Sequence, residues 1–484
     1  MQYLLAHDLG TTGNKANLFD ETGRLVAGQF EAYPVAYPQP QWAEQDPHAW
    51  WRAICASTRA LRAQYPDAFA NIAAVSFSGQ MMGVVAVDRQ RRALRPALIW
   101  ADQRAEAEAQ FLMAQCGMEN VYARTGHRIS PAYTAAKMLW LKNQQPEIYA
   151  QAEKFLCAKD YVVLQLTDSA HTDFSDASGS NLFDLSTRAW CDDFIGAIGL
   201  DAAKLPRLVS SITVVGEVTR RAAQETGLRA GTPVVMGGGD GACAAVGAGV
   251  VEPGECYCNI GSSAWISFSS ATVVRDPQMR TFTFHHLHPA RYTPMGTMQA
   301  AGGARDWFLN ITGDVNEHEI AQVPAGAHDL IFLPYLIGER SPWWNPHARG
   351  AFVGLTMAHT RAAMARAVME GVTFNLRLIL DALESQGAQI PSVRFIGGGA
   401  RSPLWQQMLA DIFNKPIALL ELNAEATSWG AAVAGGIGVG VYRDWSVANA
   451  QARVTRVIEP HSENVARYAE RVARFTETYR ALNQ

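Results

Sequence analysis

The sequence predicts an α/β protein of two similar domains facing each other across a cleft, and three observations carry that expectation. At 484 residues the chain is too long for one ordinary core. A turn of glycine and hydroxyl residues between apolar runs occurs twice, at Leu9-Gly10-Thr11-Thr12 and at Ile260-Gly261-Ser262-Ser263, about half a chain apart. Apolar runs also lead into glycine turns that open helices, at Val234-Val235-Met236-Gly237-Gly238-Gly239-Asp240-Gly241 and at Phe395-Ile396-Gly397-Gly398-Gly399-Ala400. Apolar strand, glycine turn and helix is how a parallel sheet delivers polar groups to a cleft.

Composition narrows the function. A hydrophobic share of 48% with 18% charged residues suits a globular chain and argues against long disorder. A net charge of −4 without a basic run argues against nucleic acid as partner. No stretch of about 20 uninterrupted apolar residues exists, so no membrane span is expected. The first residues lack the basic region and cleavage site of a signal peptide. The 7 cysteines are odd in number and irregularly spaced, as expected of free thiols in a reducing compartment, and cytoplasm is the expected location. The oligomeric state is not encoded in any motif, and a homodimer stays open.

Taken in order, residues 3–9 read as a strand and Gly10 to Lys15 as a tight turn. Residues 16–19 form the return strand, and residues 24–30 a third antiparallel strand. Backbone N–H and hydroxyl groups of such a turn can wrap phosphate oxygens. It lacks the lysine and the following helix of the Walker loop, and it is not the dinucleotide fingerprint. Asp8 stands at its entrance. A helix over 49–65 follows, with Asp46 as N-cap and Pro47 at its first position. Trp42 is a candidate sugar platform, whereas Trp50 and Trp51 read as helix packing. Residues 72–77 form a buried strand ending at Ser78-Gly79-Gln80-Met81-Met82. Trp100-Ala101-Asp102-Gln103-Arg104 supplies a carboxylate and a guanidinium that could grip hydroxyls or staple a helix start. Helices are expected over 362–383, from Leu404 to residue 413, in the small-residue run after Glu425, and as an exposed amphipathic tail over 463–482.

His285, His286 and His288 cluster but lack the alternate spacing and distant partner of a metal site, and they read as structural. Cys256 and Cys258 lack a second knuckle, so zinc is not expected.

These motifs together resemble the FGGY family of carbohydrate kinases over nearly the whole chain. Asp8-Leu9-Gly10-Thr11-Thr12 is similar to the family's first phosphate motif and Gly261-Ser262-Ser263 to its second. Gly397-Gly398-Gly399-Ala400 is similar to its adenosine motif. Thr134 to Leu141 and Gly350 to Glu370 resemble its two signatures, with Ala132 and Ala363 as departures. The resemblance implies an actin-like, hexokinase-type (ribonuclease H-like) duplicated fold. The N-terminal domain would span residues 1–248 and the C-terminal domain 249–484, with catalysis between them. It implies ATP as co-substrate and a Mg²⁺ ion held by Asp8 and Asp240 through water. Asp240 would be the catalytic base, with Asp8 beside it. Thr11, Thr12, Lys15, Gly261, Ser262, Gly302, Gly398 and Gly399 would hold ATP. Gln80, Met81, Met82, Asp102, Arg104 and Asp240 would hold the sugar.

Within the family, the Gly-Gln-Met and Gln-Trp-Ala-Glu-Gln-Asp-Pro segments look most like those of D-xylulose kinases, which implies a ketopentose as acceptor. Met82, Gly241 and Trp343 each replace a hydrogen-bonding residue common in those enzymes, where the sugar is expected. A polyol site discriminates by paired polar groups, so gluconate or another pentulose or polyol is the alternative. Gly-Glu-Arg-Ser-Pro-Trp-Trp-Asn and Asp240-Gly241 resemble gluconate kinases. An actin-like scaffold that binds ATP without phosphorylating a sugar is disfavoured by the presence of both Asp8 and Asp240.

Overall fold

The structure, a computed structural model, describes residues 1–421 and 425–483. Tyr3–Leu9 (β1) is buried along almost its whole length, as in a strand covered on both faces. It pairs antiparallel with Gly13–Asp20 (β2), which pairs antiparallel with Leu25–Ala32 (β3). Pro47–Gln64 (α1) starts where its proline requires, with Asp46 accepting from the His48 amide. Ile72–Gly79 (β4) then returns parallel to β1 on its far side. The helices Ala158–Thr167 (α2) and Phe174–Ser178 (α3) precede Val214–Glu217 (β5), Pro233–Val235 (β6) and Gly238–Gly239 (β7). These strands form a 7-stranded sheet in the order β5-β6-β4-β1-β2-β3, with β7 also on β4. Asp240–Gly247 (α4) follows directly.

The second half repeats the design. Cys256–Ile260 (β8) and Ala264–Phe268 (β9) form the hairpin, and Phe282–His285 (β10) and Tyr292–Met298 (β11) extend it. After Gly302–Thr312 (α5) and Arg361–Glu384 (α6), Val393–Ile396 (β12) runs parallel to β8. Pro403–Phe413 (α7), Ile417–Leu420 (β13), Ala426–Gly438 (α8), Val454–Ile458 (β14) and Ser462–Leu482 (α9) complete it. The second sheet is again 7-stranded, ordered β10-β11-β9-β8-β12-β13-β14. In both sheets a first strand pairs antiparallel with its hairpin partner and parallel with a later strand. The two-domain α/β architecture expected from the repeated motifs is therefore present, and each hairpin turn sits at the same place in its sheet.

The tail helix α9 is amphipathic as expected, with Tyr468, Phe475 and Tyr479 on the face that packs into the C-terminal core. One feature differs from the sequence reading. Helix α8 belongs to the second half of the chain yet packs on the first sheet: Trp429, Ala431 and Val433 share a core with Leu4, Ala6, Phe19 and Val246. A division at 248/249 separates the two sheets but not the two cores. Among the described residues no helix is long and apolar enough to cross a membrane.

Helices α4 and α8 meet backbone to backbone. A Cβ on Gly430 would fall 2.0 Å from the Cys243 carbonyl oxygen, and one on Gly247 1.7 Å from that of Ala426. Neither carbonyl can yield without shifting a helix. Gly430→Ala is therefore expected to destabilise the fold by about 3 kcal/mol, the upper end of overpacking costs. Denaturant unfolding checks this, and an unchanged midpoint would contradict the close approach.

Candidate active site

The site is built on one row of residues across three adjacent strands. Asp8 on β1 lies opposite Ser78 on β4, and Ser78 lies opposite Gly238 on β7. Asp240 follows β7 immediately, about 10 Å across the sheet from β1 at the usual strand spacing. The turn that delivers it needs glycine at 237: φ is +65°, and a Cβ there would lie 1.9 Å from the Phe77 carbonyl oxygen. Asp240 is half-buried at the first position of α4. Burial first, and the Asp8 charge second, push its carboxyl up to about 7.

Buried groups hold this turn from both sides. From behind, the Gly239 amide donates to Ser175 Oγ at 2.9 Å, and Ser175 Oγ donates to Asp173 Oδ2 at 2.5 Å. Asp173 is in turn paired with Lys159 at 3.2 Å, and Lys159 also meets Asp160 at 2.7 Å and Asp176 at 3.1 Å, all within the protein interior. From the C-terminal domain, the Tyr257 hydroxyl donates to the Gly241 carbonyl and accepts from the Trp265 indole, both at 2.9 Å.

Each hairpin turn spends its carbonyls inward. The Gly10 carbonyl accepts from the Tyr33 hydroxyl, the Thr11 carbonyl from Gln45 Nε2, and the Thr12 carbonyl from the Tyr33 amide. Thr11 Oγ1 accepts from the Trp100 indole at 2.9 Å. The Gly261 carbonyl accepts from Gly302, and the Ser262 carbonyl from Ala301 and Gly303. Among the described residues the amides of Thr11, Thr12, Ser262 and Ser263 have no protein acceptor, the condition of a turn able to bind an anion. Lys15 lies opposite Asp8 across the β1–β2 ladder. Gly302 braces the second hairpin from behind, since a Cβ there would sit 2.4 Å from the Gly261 carbonyl oxygen.

A cavity of about 210 Å³ opens beside the second hairpin, bounded by Asn259, Trp265, Gly397, Gly398, Arg401 and Thr427. Gly398 borders it, whereas Gly399 is buried against Ile260. Larger grooves near Asp88 and near Pro253 share no residue with it.

The expected sugar residues separate into two groups. Gln80 is buried, donates to Gln45 Oε1 at 2.7 Å, and keeps an Oε1 with no protein donor, so it still has an acceptor to offer. Met81 packs on Gly239. Met82 joins Phe282, Phe284, Met295 and Trp344 in an apolar wall contributed by both domains. Lys137 fixes the Met82 carbonyl at 3.0 Å and the Ile99 carbonyl at 2.7 Å, and burial pushes its ammonium down to about 7. Gly241 faces the same wall, 3.5 Å from Met295 at its would-be Cβ. Asp102 and Arg104 behave otherwise. They are fully buried and bonded to each other, Asp102 accepts from the Ala43 amide, and Arg104 also meets Glu44 at 2.7 Å. These contacts brace the loop, and of the pair only Arg104 Nη1 keeps a donor without a protein acceptor among the described residues. Arg104 also covers Trp42 at 3.5 Å, which removes that face as a sugar platform.

Trp343 requires a correction as well. Its ring stacks on Tyr479 at 4.0 Å and its indole donates to the Tyr335 hydroxyl, so it belongs to the C-terminal core. Its neighbour Trp344 faces the wall, 6.1 Å from Phe282 and under the Arg128 guanidinium at 5.4 Å. His285 and His286 bond to backbone carbonyls of His286 and Val250. Sequence reasoning did not single out Ser175, Tyr257 or Thr427. The sequence offered only that Thr427 lies in the small-residue run after Glu425 and that Tyr257 stands between Cys256 and Cys258.

Residues 3–247 match the N-terminal domain, and residues 256–439 the C-terminal domain, of the FGGY family of carbohydrate kinases. The chain is 38% identical to a xylulose kinase of Escherichia coli over 84% of both chains. It is 32% identical to a gluconokinase of Bacillus licheniformis over 99% of this chain and 96% of that one. The crystal structure of a xylulose kinase from Brucella ovis superposes with a TM-score of 0.93 at 34% identity, covering 99% of each chain. With the duplicated fold, the paired hairpins and these likenesses together, the chain belongs to the FGGY family of carbohydrate kinases.

Proposed function

We propose that this chain transfers the γ-phosphoryl group of ATP to the terminal hydroxyl of a ketopentose, D-xylulose, giving D-xylulose 5-phosphate. The observation that carries the reading is Asp240, its carboxyl raised to about 7, standing across from Asp8 between two turns with free amides. Phosphoryl transfer asks little covalent chemistry of a protein beyond in-line positioning, charge neutralisation and a late proton acceptor. Asp240 orients the acceptor hydroxyl and takes its proton as the bond to phosphorus forms. The amides of Thr11, Thr12 and Ser262 hold β- and γ-phosphate oxygens, and Gly398 admits the adenosine to the cavity. Gln80 Oε1 accepts from a sugar hydroxyl, and Met81 and Met82 form the wall against its carbon chain.

Asp8 suits Mg²⁺. Each of its oxygens accepts one hydroxyl, from Ser78 at 2.9 Å and Thr427 at 2.6 Å. Each keeps a lone pair for a metal-bound water, and Asp240 opposite completes a set of hard oxygen ligands. Bound there, the ion supplies charge neutralisation at the phosphate oxygens.

A second acceptor, gluconate, is favoured by one observation. Arg128 is half-buried over Trp344 beside the apolar wall, burial lowers its pKa, and it has no carboxylate partner among the described residues. A carboxylate at the far end of the acceptor would supply one. ADP release, measured across ketoses, aldonates and polyols with saturating ATP, tests both. D-Xylulose is expected to give the highest kcat/KM. Gluconate outperforming it would replace the first acceptor by the second, and release with none of the ketoses, aldonates or polyols would overturn the kinase reading of the site.

A further inference from the structure

Asp8 stands on the first strand of the chain, yet one of its oxygens is held by a residue from the far end. Thr427 Oγ1 donates to Asp8 Oδ2 at 2.6 Å, while Ser78 Oγ donates to Oδ1 at 2.9 Å. A hydroxyl on each oxygen fixes the plane of the carboxylate and leaves one lone pair on each side for other donors. Thr427 is the second residue of α8 and also lines the cavity bounded by Gly397, Gly398 and Arg401. Helix α8 cannot shift freely, because Gly430 and Gly247 press it onto α4, the helix that begins with Asp240. The hydroxyl therefore has a fixed place relative to both aspartates, with the same residue forming part of the cavity wall.

We propose that Thr427 is a positioning residue that couples nucleotide in this cavity to Asp8, orienting the carboxylate for a nucleotide-bound divalent cation. The inference rests on the kinase reading above. Nucleotide in the cavity presses on the wall that carries Thr427. The Thr427 hydroxyl in turn sets which lone pairs of Asp8 face the phosphates. The coupling needs the O–H and nothing else of the side chain.

Calorimetric titration with ADP, in Mg²⁺ and in EDTA without sugar, tests it on the full-length protein. Thr427→Val keeps the shape and removes the donor, whereas Thr427→Ser keeps the donor. The Val variant is expected to bind ADP about tenfold more weakly in Mg²⁺, the scale of one lost hydrogen bond to a charge, and to match wild type in EDTA. The Ser variant is expected to stay within about twofold of wild type in both. In turnover, KM for ATP rises in the Val variant while KM for the acceptor does not. Equal weakening in Mg²⁺ and EDTA, a Ser variant as impaired as the Val variant, or a Val variant like wild type would each overturn the coupling while leaving the kinase reading intact. Wild-type protein that binds no ADP would overturn that reading, and the coupling with it.

Discussion

Asp240→Asn is expected to lower kcat by about 10²–10⁴-fold, the usual worth of a positioned general base, with ATP binding left largely intact. The amide keeps the volume and loses the proton acceptor. The pH dependence supplies an independent check. Burial, with the Asp8 charge behind it, raises the Asp240 carboxyl to about 7, and the base works only when ionised. Wild-type kcat/KM should therefore fall on the acid side as Asp240 takes up its proton, with a midpoint below the metal-free value of about 7 because Mg²⁺ favours the carboxylate, while the variant shows no such limb. The same shift predicts a stability effect of opposite sense. A carboxyl whose folded-state pKa lies above its unfolded value stabilises the fold at low pH, and that contribution is lost as pH rises through about 7. Asparagine carries no charge to lose. The variant should melt at or above the wild-type temperature at pH 8, with the gap closing toward pH 5. Near-normal turnover, or an unchanged acid limb, would remove Asp240 from the role of base.

Lys159→Met is expected to cost about 3–5 kcal/mol, because it leaves buried carboxylates without their cation. The lysine lies within 3.2 Å of Asp160, Asp173 and Asp176, and none of the four side chains reaches solvent. Burial opposes the lysine's charge, but the three aspartates together hold its pKa well above the ordinary value. Burial outweighs the lysine at Asp176, whose carboxyl is pushed well up. Without Lys159 the remaining carboxylates fold only by taking up protons, so the deficit should grow from pH 5 to pH 8. Adding Asp160→Asn should recover part of it. Denaturant unfolding of the two variants at both pH values measures these terms. A deficit independent of pH would mean that lost packing, rather than stranded charge, explains the loss. Because Asp173 holds Ser175 and Ser175 holds the Gly239 amide, the folded fraction of the variant should also turn over more slowly.

The parts of the fold written in local pattern were legible. Strand β1, its glycine turn and its return are set by neighbouring residues, and the second copy at Gly261 doubled the signal. The placement of Asp240 could be read because an apolar run into three glycines and a carboxylate describes a strand end and a turn, and the structure has that turn with Gly237 at φ +65°. The parts that failed depend on distant partners. Ser175 meets Gly239 across 64 positions, and Thr427 meets Asp8 across 419. No periodicity in either segment encodes those meetings. Trp343 and Trp344 show the limit at its smallest scale. Trp344 sits at φ +52°, so the two neighbouring rings leave the chain toward different surroundings, one core and one cleft. A composition-level reading treats them as interchangeable. Asp102 and Arg104 were read both as a grip on hydroxyls and as a staple, because a charged pair near a tryptophan looks the same on paper in either role; their contacts with the Ala43 amide and Glu44 come from the fold alone.

The glycine-to-carbonyl contact between α4 and α8 bears on which parts of the molecule move as one. At Gly247 and Gly430 backbone meets backbone, and a contact without flexible side chains has nothing soft to give. Helix α8 is also seated on the first sheet beside Leu4, Ala6 and Phe19, so Asp8, Asp240 and Thr427 stand on one plate. Whatever the second sheet does, the spacing of these three groups is kept.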